Sequence, residues 1–306
     1  MDVFVTGGSG FVGRALCQGL REAGHQVTVL TRSAQAAAAL PAGVGACLGD
    51  PTRPGAWQAE AARHQGFVNL AGASIFNRWT DDYKRLILDS RVQTTRHLVQ
   101  AIGLRQAGDR AVLVSASAVG YYGFRGDEEL DESSPPGDDF LATVCRAWED
   151  EARTAEAYGA RVVRARFGIV LGEGGGALEK MLPLFRAGLG GPLGSGRQWF
   201  SWIHRRDLAA ALLFCLDAPG LAGPVNCTAP NPVTNRALAK ALGRALSRPA
   251  FLPAPGFAIR LALGEFGSVL LNGQRVLPKA LLAAGFAFAH PGLDGALADL
   301  LGGATV

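Results

Sequence analysis

The chain predicts a doubly wound parallel α/β sheet with a smaller C-terminal lobe, and three observations carry that prediction. An apolar run, Val3-Phe4-Val5, leads straight into Thr6-Gly7-Gly8-Ser9-Gly10-Phe11-Val12-Gly13, and a helical pattern follows at once. A second strand pattern, Gln26 to Leu30, comes where a βαβ unit needs it. Strand and helix patterns then alternate through short connections to about residue 167, which is the signature of a parallel sheet covered on both faces.

Taken in order, the first element is the strand, glycine turn and helix of residues 3–20. Glycines at 7, 10 and 13 suit a tight turn, a close backbone approach to a pyrophosphate, and close helix–strand packing. The helix N-terminus offers free N–H groups and a positive dipole end to phosphates. Thr6, Gly7, Gly8, Ser9, Gly10, Phe11, Val12 and Gly13 are therefore expected to cradle a dinucleotide.

Strand two ends in Thr31-Arg32-Ser33. An acidic residue near this point would serve the ribose hydroxyls of NAD. The cation Arg32 suits the 2′-phosphate of NADP instead. Ala34 to Leu40 reads as a short helix. Residues 43–48 read as a third strand, ending at Asp50, which could accept from an adenine amino group or cap the next helix. Phe67 to Gly72 is a fourth strand whose end, Leu70-Ala71-Gly72, should face the cofactor crevice. Trp79 to Gln106 is a long helical stretch, and 111–115 a fifth strand opening into Ser115 to Gly123. The loop 124–139 is acidic, 140–158 is helical, and 161–167 is strand six.

After Gly168 the character changes to glycine-rich loops (172–176 and 188–196) around a helix, 177–187. A strand at 200–203, a helix at 207–217 and a late strand at 223–227 follow. Helices at 235–246, 256–263, 278–284 and 293–301 close the chain. The expected division is residues 1–167 with 205–228 as the nucleotide-binding domain, and 168–204 with 229–306 as a substrate lobe.

Composition narrows the function classes. Of the 306 residues 48% are hydrophobic and 18% charged, so a large core forms and disorder is disfavoured. The net charge of +4 carries no long basic block, which argues against nucleic acid. Five dispersed cysteines without a CxxC pair read as reduced thiols. No apolar run reaches a membrane span and no leader precedes the first strand, so a soluble, cytoplasmic protein is expected. The five histidines lack ligand spacing, so no metal is expected.

Thr6-Gly-x-x-Gly-x-x-Gly13, Asn69-Leu-Ala-Gly72, the serine-rich end of strand five and Trp202-Ile-His-x-x-Asp-Leu208 together resemble an extended short-chain dehydrogenase/reductase. Arg78-Trp79-Thr80, Asp89-Ser-Arg91, residues 115–123 and 190–198 resemble an atypical branch labelled "epimerase family protein". The segment 273–278, with Gly285-Phe-x-Phe288 and Pro291, is similar to that branch's small C-terminal domain of unknown function. The resemblance runs nearly end to end. It implies a Rossmann domain, NADP binding and a small-molecule substrate. Superfamily relatives often dimerise through two long helices, so it also carries a homodimer as an expected assembly.

The superfamily's usual catalytic set is Asn, Ser, Tyr and Lys. In the alignment on Glu149, Leu141 falls on the tyrosine and Cys145 on the lysine, while Arg91 falls on the asparagine and Thr95 is retained. Leucine cannot transfer a proton, and a thiol cannot hold a ribose as an ammonium does. Ser115 and Ser117 survive. Tyr121 and Tyr122 are then the candidate proton donors, with a nearby arginine to lower the phenol pKa. The alternative is that one tyrosine packs and the other bonds to backbone. Arg78, Trp79, Arg91, Arg197 and His204 are the candidate substrate contacts, with a structural hydrogen bond favoured for His204. Cys145 reads as an inert core thiol. Two functions fit: an NADP(H)-binding oxidoreductase or epimerase-like enzyme on a small polar substrate, and a non-catalytic NADP(H)-binding redox sensor or regulatory protein.

Overall fold

The computed structural model describes residues 1–302 apart from Ala107 and Asp109. Seven parallel strands form one sheet: β1 (Asp2–Thr6), β2 (Gln26–Thr31), β3 (Gly45–Leu48), β4 (Gly66–Asn69), β5 (Ala111–Ala118), β6 (Ala160–Phe167) and β7 (Gly223–Cys227). Their order is β7-β6-β5-β4-β1-β2-β3. The chain winds outward from β1 to β3, crosses back to β4 and winds outward the other way. A crevice therefore opens beyond the carboxyl ends of β1 and β4, where ligands of doubly wound sheets bind.

Helices α1 (Phe11–Glu22), α2 (Ala34–Ala38), α3 (Trp57–Ala61), α4 (Asp81–Gly103) and α5 (Phe140–Arg153) cover the sheet with α7 (Arg205–Asp217); α6 is Gly176–Arg186. Valines of β1, β2 and β4–β7, such as Val5, Val29, Val68, Val114, Val163 and Val225, pack on α1 and α7 on one face. Phe4, Phe67 and Leu113 pack on α3 and α4 on the other. Sheets buried on both faces read as near-continuous apolar runs, and these strands do.

Boundaries shift for local reasons. The long helix starts at Asp81, because the Thr80 side chain accepts from the Tyr83 N–H and caps it. The helix expected over 140–158 ends at Arg153 and tightens to a 3-10 turn before Gly159, at φ 76°. Strand four stops at Asn69, and residues 70–72 turn over the crevice.

Helices α8 (Asn235–Ala245), α9 (Gly256–Leu263), α10 (Glu265–Leu271), α11 (Lys279–Ala283) and α12 (Leu293–Leu301) make up the C-terminal part. Leu178, Phe185, Trp202, Leu238, Leu242, Leu297 and their neighbours form a separate core there. Neither α3 nor α10 was expected from the sequence. The α10 helix lays Phe266 on Trp79, and its Glu265 pairs with Lys84 at the start of α4. Leu281 of α11 packs into the sheet core, so the tail also grips the first domain. Among the described residues no helix is long and apolar enough to cross a membrane.

The polar layer under the crevice is continuous. Thr6 Oγ1 donates to Asn69 Oδ1 at 2.7 Å, and Asn69 Nδ2 donates to Thr95 Oγ1 at 2.8 Å and Ser115 Oγ at 3.1 Å. Thr95 Oγ1 donates in turn to the Arg91 carbonyl at 2.7 Å. One side chain thus ties β1, β4, β5 and α4 together where all are buried.

Replacing Asn69 with leucine strands the Thr6 and Ser115 hydroxyls and takes one of two partners from Thr95; at about 1–3 kcal/mol for each buried group left unpaired, the loss should exceed about 2 kcal/mol. Urea denaturation measures it, and a loss below about 1 kcal/mol would show that Asn69 is not the tie.

A second prediction concerns pH. Burial foremost, and His290 beside it, push the His204 pKa down from 6.5 to about 4. The unfolded chain then binds a proton that the folded one refuses, so this contribution is present above about pH 6.5 and is lost as the pH falls toward 4. His204→Asn should flatten the dependence of stability on pH in that window, as read by thermal melts at pH 7.5 and 4.5. An unchanged slope would contradict it.

Candidate functional site

The backbone of the glycine loop explains its glycines at positions 7 and 13. Gly7 takes φ 74°, and a Cβ there would lie 2.8 Å from the Leu70 carbonyl carbon and 2.9 Å from the Ala71 nitrogen. A Cβ on Gly13 would collide with Gly7 O and lie 2.6 Å from Gly8 Cα. One on Gly10 would approach Gly7 O at 3.2 Å, a tight contact with backbone. Gly10 caps α1 without a side-chain bond, and the first turn of that helix holds no acidic residue. The N–H groups of that turn, residues 11–13, are therefore offered to an anion.

Other residues of the loop are engaged within the protein. Thr6 is buried and its hydroxyl is given to Asn69. Gly8 packs on Val29, and the Ser9 carbonyl accepts from Arg14 Nε. The Phe11 ring lies under Gly172 and Gly175, with the Arg205 guanidinium 5.1 Å from its centre. Val12 packs against the sheet core. What this segment can offer a dinucleotide is backbone.

At the end of β2, Thr31 is buried and its carbonyl accepts from Gly49 N; Ser33 caps α2 through the Ala36 N–H. Arg32 between them is exposed. Asp50 Oδ1 is taken by Thr52 N at 2.9 Å and Thr52 Oγ1 at 2.7 Å. Those bonds first, then the Arg32 and Arg53 charges, hold its carboxyl below the usual range. Asp50 thus makes a local turn and caps no helix directly.

The candidate catalytic hydroxyls form a second buried group. Ser117 Oγ donates to Glu149 Oε1 at 2.8 Å. Arg166 clasps the same carboxylate through Nε at 2.7 Å and Nη2 at 2.9 Å, and its Nη1 donates to Tyr122 Oη at 2.9 Å. Tyr122 Oη donates to Asn226 Oδ1 at 2.6 Å. Glu132 closes the group by accepting from the Asn226 and Ala280 N–H groups. Tyr122 is fully buried, and Ser117 is 2% exposed.

This geometry corrects the reading of Tyr122 as a proton donor, and it leaves Ser117, the serine retained from the catalytic set, without a free hydroxyl. Their hydroxyls are consumed inside the fold. Burial pushes the Tyr122 phenol up to about 12, outweighing the Arg166 charge that was expected to lower it. Tyr121 differs: it is half-buried, the Arg166 guanidinium lies 3.5 Å from its ring centre, and its hydroxyl has no hydrogen bond among the described residues. The Glu149–Arg166–Asn226 set escaped the sequence reading. Its signal is Arg166 inside an apolar strand and Glu149 on the apolar face of α5 with Cys145, Trp148 and Ala152.

One proposed substrate contact, Trp79, is corrected as well, and His204 makes the structural hydrogen bond favoured for it. Trp79 is 9% exposed, packs on Phe140 and Phe266, and gives its indole N–H to the Ile75 carbonyl. His204 is 1% exposed, stacks on His290 at 3.9 Å and caps α7 by accepting the Arg206 N–H on Nδ1. That bond leaves the ring proton on Nε2, beside Asp299, so this ring is not poised as a neutral metal ligand.

Arg78 and Arg197 are exposed, on the loop before α4 and on the glycine-rich loop of the C-terminal part. Arg91 is half-buried against Gly72: a Cβ on Gly72 would lie 3.1 Å from Arg91 Cγ and Cζ. Leu141 packs near Gly120, and the Cys145 thiol faces the Ala118 carbonyl at 3.7 Å. Burial first, and Glu149 second, push that thiol up to about 11. It is inert, as its apolar surroundings suggest.

The comparisons with known proteins follow this geometry. Residues 3–227 match the NAD dependent epimerase/dehydratase family, and residues 254–300 match a domain of unknown function, DUF1731. The chain is 44% identical over 305 residues to an epimerase family protein SDR39U1 homolog, chloroplastic, of Arabidopsis thaliana, covering 98% of this chain and 87% of that protein. It is 39% identical over 302 residues to the epimerase family protein YfhF of Bacillus subtilis, covering 98% of both. The crystal structure of human epimerase family protein SDR39U1 (isoform 2) with NADPH superposes with a TM-score of 0.86 at 38% identity, over 99% of both chains. A seven-stranded parallel sheet with an open glycine loop at its switch point, and a family match spanning nearly all of that domain, establish that the chain belongs to the NAD-dependent epimerase/dehydratase family.

Proposed function

We propose that this protein is an NADP(H)-dependent oxidoreductase or epimerase-like enzyme acting on a small polar substrate. The observation that carries the cofactor is the pairing of an uncapped α1 N-terminus beneath Gly10 with an exposed Arg32 at the end of β2. The first suits a pyrophosphate, and the second suits the 2′-phosphate of NADP. The similarity to the human protein solved with NADPH supports the same choice. When bound, NADP(H) supplies the hydride chemistry; the protein supplies binding and orientation.

The residues present fit such a cofactor. The Gly7 turn lies against Leu70 and Ala71, and Gly72 follows, so the glycine loop and the end of β4 form one wall. By the halves of the fold, the adenosine side lies over β1–β3 and the nicotinamide side over β4–β6. On the second side stand Gly72, Arg91, Ala118, Leu141 and Cys145, without the usual Tyr–Lys pair. Tyr121 is the one candidate phenol left with an uncommitted hydroxyl. The five cysteines are free, which fits a reducing, cytoplasmic setting. A domain division at residues 167–168, 204–205 and 228–229 supports a substrate site between the two lobes.

One observation favours a second reading, a non-catalytic NADP(H) sensor: the Ser117 and Tyr122 hydroxyls are locked inside the fold. Turnover of any carbonyl or sugar-nucleotide substrate would remove it.

Calorimetry tests the cofactor. Arg32→Ala should weaken NADPH by about tenfold or more, one lost charge-assisted contact, and leave NADH nearly unchanged. Equal losses would refute the 2′-phosphate assignment. The phenols separate by stability: Tyr122→Phe should cost about 1–3 kcal/mol in urea denaturation because Arg166 Nη1 and Asn226 Oδ1 lose their bridge. Tyr121→Phe should cost below about 0.5 kcal/mol, so any activity lost in that variant reports on the hydroxyl itself. The reverse order would move the structural role to Tyr121.

A further inference from the structure

Arg166 in the interior is answered by Glu149 in a two-pronged pair, and Arg96 on the surface is answered by Glu151. Arg161 spreads over the carbonyls of Cys215, Leu216 and Leu221. Arg91 is different. Its side chain crosses Gly72 at the end of β4 and lies 5.1 Å from the centre of the Trp148 ring. Its Nη1 donates to the Ile87 carbonyl at 2.9 Å. Among the described residues Nε and Nη2 make no hydrogen bond and no carboxylate pairs with the guanidinium. Burial pulls its pKa down, against the Cys145 thiol and the Tyr83 phenol nearby.

A partly desolvated cation without a counter-charge is costly, and arginine cannot shed its proton to escape that cost. The fold nonetheless fixes it in place: Ile87 O anchors one end, Thr95 bonds its carbonyl, and the Trp148 ring backs it. A Cβ at Gly72 would press on it at 3.1 Å. The charge is held in readiness for something outside the chain.

We infer that Arg91 is the anion-recognising residue of the substrate site, and that the substrate is a small carboxylate. The charge balance favours that anion over a phosphate, since a guanidinium edge can hold two oxygens of either. With Nη1 committed, the uncommitted Nε and Nη2 lie on one edge of the guanidinium, and two parallel donors match the two oxygens of a carboxylate. A single cation balances a single negative charge. The site stands on the nicotinamide side of the crevice, so this assignment rests on the cofactor reading above.

The test uses the full chain, first titrated with NADPH and then, both loaded and nucleotide-free, with two- to six-carbon carboxylic acids, their primary amides and inorganic phosphate. The heat of binding is the readout. At least one carboxylate should bind saturably, and its amide about tenfold or more weaker. Arg91→Gln should erase that difference while NADPH affinity stays within about threefold; Arg91→Lys should keep part of it. Carboxylates that bind no better than amides, or than phosphate, would overturn the assignment, as would NADPH affinity collapsing with Arg91→Gln. NADPH failing to bind the unaltered chain would instead sink the cofactor reading, and the nucleotide-free titration would still judge Arg91.

Discussion

The structure depends on a single buried amide. Asn69 accepts from Thr6 and donates to Thr95 and Ser115, joining the ends of three neighbouring strands and the long helix α4 in one polar layer. Its partners match its inventory: one accepted hydrogen and two donated ones. Because the group sits where strand order reverses, it sets the spacing between the β1 turn and the β4 end. That spacing is why a Cβ on Gly7 would press into Leu70 and Ala71. The crevice is therefore a consequence of a satisfied core polar network rather than of loop placement alone.

A second network does for β5–β7 what Asn69 does for β1–β5. Arg166 and Glu149 form a charge pair of which each member is 3% exposed, and Ser117, Tyr122 and Asn226 fill the remaining hydrogen-bonding positions. Such a pair stabilises only when its geometry is good and its leftover donors and acceptors are met. Both conditions hold. The network also reaches the tail, since Asn226 Nδ2 donates to the Leu277 carbonyl and Glu132 accepts from Ala280 N. Tyr122 and Ser117 serve this joint, and a hydroxyl doing so has no proton to trade with a substrate.

The fold was legible because its signals are local. Three glycines after a three-residue apolar run, and alternating strand and helix periods, need no knowledge of distant partners. The helix α10 was not legible: Glu265 to Leu271 earns its helix by laying Phe266 on Trp79 and pairing Glu265 with Lys84, contacts nearly two hundred residues away in sequence. The site divided along the same line. Gly10 and Arg32 could be placed from the β1–β2 pattern. Tyr122 could not, since a phenol in a ligand-edge loop looks reactive until its burial and hydrogen-bond partners are known. Arg166 could not either, because its partner Glu149 lies on another element.

Loss of the usual Tyr–Lys pair has therefore not left a ruin. The frame that would hold such a pair is intact and well satisfied, with Leu141 against Gly120 and Cys145 under the Ala118 carbonyl. What changed is the kind of group presented. Burial keeps the Cys145 thiol neutral, Glu149 is neutralised by Arg166, and Tyr122 is locked. Along the β4–β5 wall the charge left unanswered is that of Arg91. A site that loses a proton donor but keeps a fixed cation can still bind and polarise an anionic group, because a charge fixed before binding needs no reorganisation when its partner arrives.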